Sequence, residues 1–154
     1  CGGGVAAVLI TCVGCGGDPT DSFKGHVSKI SDGLVPALQA SELGKDGAIN
    51  KAGDVAFDVQ KTDSTVSPYA AVLSFKTLKN IKSSDIPIVM EWDWKVNYAY
   101  QDDAWSLKDY SITTSNIVTD KQYAALFQRF LGQKMTINES KAENAQLLSL
   151  LKIE

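Results

Sequence analysis

The chain has 154 residues with 15 Lys+Arg against 18 Asp+Glu, a formal charge of -3, 44% hydrophobic residues and three cysteines. That length fits one domain, and the ordinary apolar and charged fractions exclude disorder and collagen-like repetition. The acidic balance argues against a nucleic-acid partner, which would need clustered Lys and Arg to neutralise phosphates.

Chain order begins with an unusual stretch. Cys1, Cys12 and Cys15 all fall in the first fifteen residues, and the first charged residue is Asp18. The run Val5 to Gly14 is too short to span a bilayer, which needs about 20 apolar residues, but matches the apolar core of a secretory signal. Val13, Gly14 and Cys15 resemble the lipobox of bacterial lipoprotein signal peptides, with Cys12 where leucine is usual. The resemblance implies cleavage before Cys15 and lipidation of that cysteine. The chain is then expected to begin inside a signal peptide, with residues 1–15 as its remnant, 16–22 as a tether and 23–154 as one domain. Lipidation of Cys1 itself, disfavoured because it leaves the apolar run exposed, and burial of the segment within the fold are the other readings. Cys12-Val-Gly-Cys15 is formally a C-x-x-C, but Gly16-Gly-Asp-Pro19 is read as a turn that starts no helix, against a thioredoxin-like redox pair. His26 is the one histidine of the chain, too little for a zinc site. No metal and no cofactor are expected.

Phe23, Val27, Ile30, Leu34 and Leu38 recur at helical spacing, with Asp21 or Ser22 as N-cap. Gly33 and Pro36 interrupt the run, so one kinked helix or two short ones are expected, ending near Gly44. The period then changes to two. Val55, Phe57 and Val59 make a strand, and Tyr69, Ala71, Leu73 and Phe75 a second. Ile88, Met90, Trp92, Trp94, Val96, Tyr98 and Tyr100 share one face of a third. Gln101-Asp-Asp-Ala104 supplies a hairpin turn, and Trp105 opens a fourth strand whose apolar phase slips between Leu107 and Tyr110, as a bulge requires. A helix follows from Thr119 or Asp120 with Tyr123, Leu126, Phe127, Phe130 and Leu131 as its apolar face, closed by Gly132. Ser140-x-x-Glu143 reads as a capping box before a last helix with Leu147, Leu148, Leu150 and Leu151. Those leucines cover more than one helix face, the sole hint of a larger envelope assembly.

The fold class expected is α+β: an N-terminal helix on a curved four-stranded antiparallel sheet, then two C-terminal helices. Ser67 to Phe75, with Trp94 through Tyr100-Gln-Asp-Asp-Ala-Trp105 to Lys108, resembles the cone-shaped folds of the cystatin-like and nuclear-transport-factor-like group, and small bacterial lipoproteins in particular. Enzymes of that group, such as ketosteroid isomerase and scytalone dehydratase, place Asp, Tyr or His inside the cone. Here Glu91 and Asp93 fall on the opposite face, and Asp102 and Asp103 read as turn residues. His26 could be imagined beside Asp32 or Asp109, with nothing in the spacing to demand it. The row Trp92, Trp94, Tyr98 and Tyr100 either lines an apolar pocket or packs beneath the first helix. The functional expectation is an exported, lipid-anchored cell-envelope protein. Its domain is non-catalytic and binds a protein or a small apolar ligand. A small-pocket enzyme of isomerase or dehydratase type is the alternative.

Overall fold

The computed structural model describes residues 18–81 and 85–153. Cys1, Cys12 and Cys15 lie outside them. Helix α1 spans Pro19–Ala40. The Asp18 carboxylate accepts a hydrogen bond from the Thr20 amide at 2.7 Å, and Pro19 occupies the first turn, where its missing N–H costs nothing. This corrects the sequence expectation: Asp18-Pro19 is a helix start rather than a turn, and residues 19–22 are helical rather than tether. The same correction removes one argument against a redox pair at Cys12 and Cys15. Helix α1 continues through Pro36 as one element. Pro36 lies on the exposed side, while Leu34, Ala37 and Leu38 anchor the buried side around it.

Six strands follow instead of four: β1 Gly47–Lys51, β2 Ala56–Lys61, β3 Tyr69–Ile81, β4 Ile88–Gln101, β5 Ala104–Thr119 and β6 Lys134–Met135. All pairings are antiparallel, in the order β1-β3-β4-β5-β6, with β2 also on β3. The excess over expectation has a simple origin. β1 pairs with Thr77 to Ile81 and β2 with Tyr69 to Ser74, so the two lie end to end along one side of β3. Gly53, at φ 82°, makes the break between them. β6 adds two residues against Ile112 and Thr113.

The β4–β5 hairpin turns at Asp102 and Asp103, both at positive φ (55° and 63°), as a two-residue type I′ turn requires. The expected bulge is present: Asn97 pairs with Asp109 and Tyr98 with Leu107, leaving Lys108 extra. A second bulge leaves Ser115 extra between the partners of Glu91 and Trp92. Bulges bend and twist a strand, and β5 carries both.

Two further helices close the chain: α2 Lys121–Phe127, continued by a 3-10 turn over Gln128–Phe130, and α3 Ala145–Lys152. Asp120 is the N-cap of α2 but makes no side-chain capping bond. The expected capping box before α3 does not form. The N-cap is Asn144, the Ser140 amide bonds Asn138 instead, and Glu143 pairs with Lys45 at 2.6 Å. Asn144 is buried because it ties segments together: its side chain accepts from the Glu42 amide and donates to the Asn138 carbonyl.

The core lies between one sheet face and the pair α1 and α3. Phe23 is fully buried, with ring centroids 5.2 Å from Tyr98, 4.9 Å from Trp105 and 5.7 Å from Phe57. Where α3 crosses α1, a Cβ added at Gly33 would lie 3.3 Å from Leu150 Cδ1, so glycine permits the close approach. Leu147, Leu148 and Leu151 are buried there and Leu150 packs at the rim, so the last helix spends its leucines on this core. Among the described residues no helix is long and apolar enough to cross a membrane.

Candidate functional site

Strand β4 is central and paired on both sides, so its alternate residues must face the core on one side of the sheet and solvent on the other. The core face carries the aromatic row. Trp92, Trp94 and Tyr98 are 3%, 2% and 1% exposed, and Tyr100 is half-buried. Trp94 stacks on its cross-strand partner Phe75 at 5.2 Å and 19°, and its indole N–H donates to Thr77 Oγ1 at 2.9 Å. The Tyr98 hydroxyl donates to the Leu151 carbonyl at 2.6 Å, fastening β4 to the end of α3. Burial raises its pKa above the ordinary tyrosine range. Tyr100 meets Tyr69 and Trp105 edge-on, and burial followed by the nearby Asp103 raises its pKa. The Trp105 indole N–H donates to the Pro19 carbonyl, joining the hairpin to the start of α1.

The four residues thus come together on one face, as their spacing requires, and they are covered by side chains. Trp92, Trp94 and Tyr98 belong to the core and Tyr100 packs at its edge, while Trp94 also borders a recess on the other face of the sheet. One polar atom among them stands out: Trp92 Nε1 is sealed from solvent without a hydrogen-bond partner, a loss of about 1–3 kcal/mol of desolvation.

The carboxylates of β4 stay clear of this face. Glu91 accepts from the Ser115 hydroxyl and Asp93 pairs with Lys76 at 3.3 Å, both on the opposite side of the sheet. That contact is an ion pair without hydrogen-bond geometry, since Asp93 Oδ1 makes no hydrogen bond. Lys79 does fall on the core face, opposite Met90 and Ile49. Its chain passes Gly47, whose added Cβ would lie 3.0 Å from Lys79 Cε, toward the edge and Asp46. Burial lowers its pKa and Asp46 opposes the shift. This is a lysine covering apolar surface with its stem while its head leaves the core. His26 is half-buried on the flank of α1, its pKa lowered by burial and then by Lys29. It bonds neither Asp32 nor Asp109 among the described contacts; Asp109 accepts from the Asn97 amide instead.

Two surface features were not anticipated from the sequence. The solvent face of the sheet carries an open recess of about 710 Å³, where Lys76, Asp93, Lys95, Ser111 and Thr113 meet the Ala52-Gly53-Asp54 break. Recognising it requires the break between β1 and β2, which no apolar period announces. The other is α2. Its residues from Tyr123 to Leu131 have the periodicity of a core helix, yet none is buried, and Leu126 is 63% exposed. Among the described residues no group of three or more His, Cys, Asp or Glu is placed to hold a metal ion. No family model, curated protein or solved structure matches the chain.

Proposed function

We propose that this chain is a lipid-anchored protein of a bacterial cell envelope, modified at Cys15, and that its α+β domain works by binding a protein rather than by catalysis. The lipobox-like Val13-Gly14-Cys15 after an uncharged apolar run supports the anchor. The observation that carries the second half is the packing of Trp92, Trp94 and Tyr98, each at most 3% exposed. A ligand for that face would have to displace the interactions that hold α3 and α1 to the sheet. The isomerase or dehydratase alternative needs an acid or base in a dry cavity beside the row. The carboxylates of β4 project to the other face, and Lys79 leans out at the edge.

The test is metabolic labelling with a fatty acid after expression behind a complete signal peptide. The wild type takes up label and Cys15→Ser does not. Uptake that survives Cys15→Ser but is lost in Cys1→Ser moves the anchor to Cys1. Uptake indifferent to both removes the envelope assignment.

A further inference from the structure

We infer that α2 with its 3-10 extension is a docking surface for an acidic amphipathic segment of a partner protein, an inference that rests on the anchored, protein-binding reading above. Leu126 is 63% exposed, Val118 58% and Leu131 38%, and Tyr123, Phe127 and Phe130 are only half-buried. Apolar side chains concentrated in one segment at this exposure mark an interaction site more often than scattered ones do. None of them belongs to the core or packs on its rim.

Three observations choose the occupant. The segment is locally basic in a chain of net charge -3: Lys121, Arg129 and Lys134 stand against Asp120. The Arg129 guanidinium lies 5.0 Å over the Phe130 ring, so cation and apolar surface are presented together. Complementary charge therefore means an acidic rim around apolar anchors. An isologous contact with a second copy would set the same three cations against themselves. Placement then argues against a bilayer. Asp18 and Pro19 sit at the hairpin end of the sheet, where Trp105 holds the Pro19 carbonyl, whereas α2 follows Thr119, which pairs with Ile88 at the other end. β4 is 14 residues long, so the two ends are about 45 Å apart at the usual strand rise. With the lipid on Cys15, three residues before Asp18 in the sequence, α2 starts at the end of the sheet far from the anchored terminus.

The experiment uses the full chain and a synthetic amphipathic helix with leucines on one face and glutamates on the other, read by fluorescence anisotropy. A second peptide carries lysine for every glutamate. The glutamate peptide binds at least about tenfold more tightly, Leu126→Asp and Arg129→Glu each lose about tenfold, and Val66→Asp, at an exposed apolar residue elsewhere, changes nothing. Equal affinity for both peptides, or none for either, overturns the inference. So does a dimer in sedimentation velocity that Leu126→Asp abolishes, which assigns the surface to a second copy. Pelleting with phosphatidylcholine–phosphatidylglycerol vesicles that depends on Leu126 assigns it to lipid and overturns it as well. Fatty-acid labelling separates the two proposals. Peptide binding without labelling at Cys15 removes the anchor alone, and labelling without peptide binding removes the docking surface alone.

Discussion

The aromatic row of β4 and the aromatic helix α2 look alike as sequence and end in opposite environments. Trp92, Trp94 and Tyr98 are sealed in the core, while Tyr123, Phe127 and Phe130 stay half-exposed and Leu126 is mostly in solvent. Apolar periodicity says which side chains share a face. It does not say whether another element will arrive to cover that face. β4 is central in the sheet and lies under α1 and α3. α2 turns off the end of β5, and beyond it the chain adds only the two residues of β6 before leaving for α1.

Substitutions should separate the two regions sharply. Trp94→Ala removes a stacked, hydrogen-bonded core ring and is expected to cost about 3–5 kcal/mol, measured by urea unfolding. Leu126→Ala in α2 should stay within about 0.5 kcal/mol. A cost at Leu126 approaching that of Trp94 would mean that α2 is covered in solution, and the contrast would fail.

Overfilling tests the core from the other side. Gly33→Leu drives a side chain into Leu150, and overpacking of this kind costs about 1–3 kcal/mol. A neutral result would show that α3 can move off α1 without loss.

Tyr98→Phe leaves the Leu151 carbonyl without its donor, at about 1–3 kcal/mol. It also changes the alkaline limb. The folded-state pKa of Tyr98 is raised above the ordinary 10.0, so the native state favours the neutral phenol. Its contribution is complete below pH 10 and declines as the pH rises beyond, because the unfolded chain ionises first. Wild-type stability should therefore fall more steeply above pH 10 than that of Tyr98→Phe. Parallel curves would show that the hydroxyl is not buried.

The smallest effect belongs to Glu143. Its hydrogen bond and ion pair with Lys45 lower its pKa, so the pair acts above about pH 4.5 and is lost in acid. Both groups face solvent, where such pairs contribute little. Glu143→Gln should leave Tm at pH 7 unchanged within error. A clear loss would revive Glu143 as a cap of the last helix.

Much of the architecture is legible in the sequence. The helical stripe from Phe23 to Leu38, the period-two face from Ile88 to Tyr100, the Asp102-Asp103 turn and the slipped phase between Leu107 and Tyr110 are local patterns, and local patterns survive folding. β1 was not legible because Gly47-Ala-Ile-Asn-Lys offers a single buried residue, Ile49, and no alternation. The start of α1 is ambiguous in the sequence because Asp-Pro serves equally as a turn and as an N-cap followed by a first-turn proline. The same apolar spacing that correctly identified α1 as core-facing described α2 equally well.

The sequence by itself determined which residues share a face, the hairpin turn at Asp102-Asp103, and that an uncharged, cysteine-bearing stretch precedes the first charge. Only the tertiary structure decided which of those faces are covered. Burial requires a second surface, and that surface comes from segments far apart in the chain: the Leu151 carbonyl above Tyr98, Leu150 against Gly33, the Asn144 side chain on the Glu42 amide. Trp92, Trp94 and Tyr98 became core because α1 and α3 meet over them. α2 rests on the end of β5 without a helix over it, which leaves Tyr123, Phe127 and Phe130 half-exposed and Leu126 mostly in solvent.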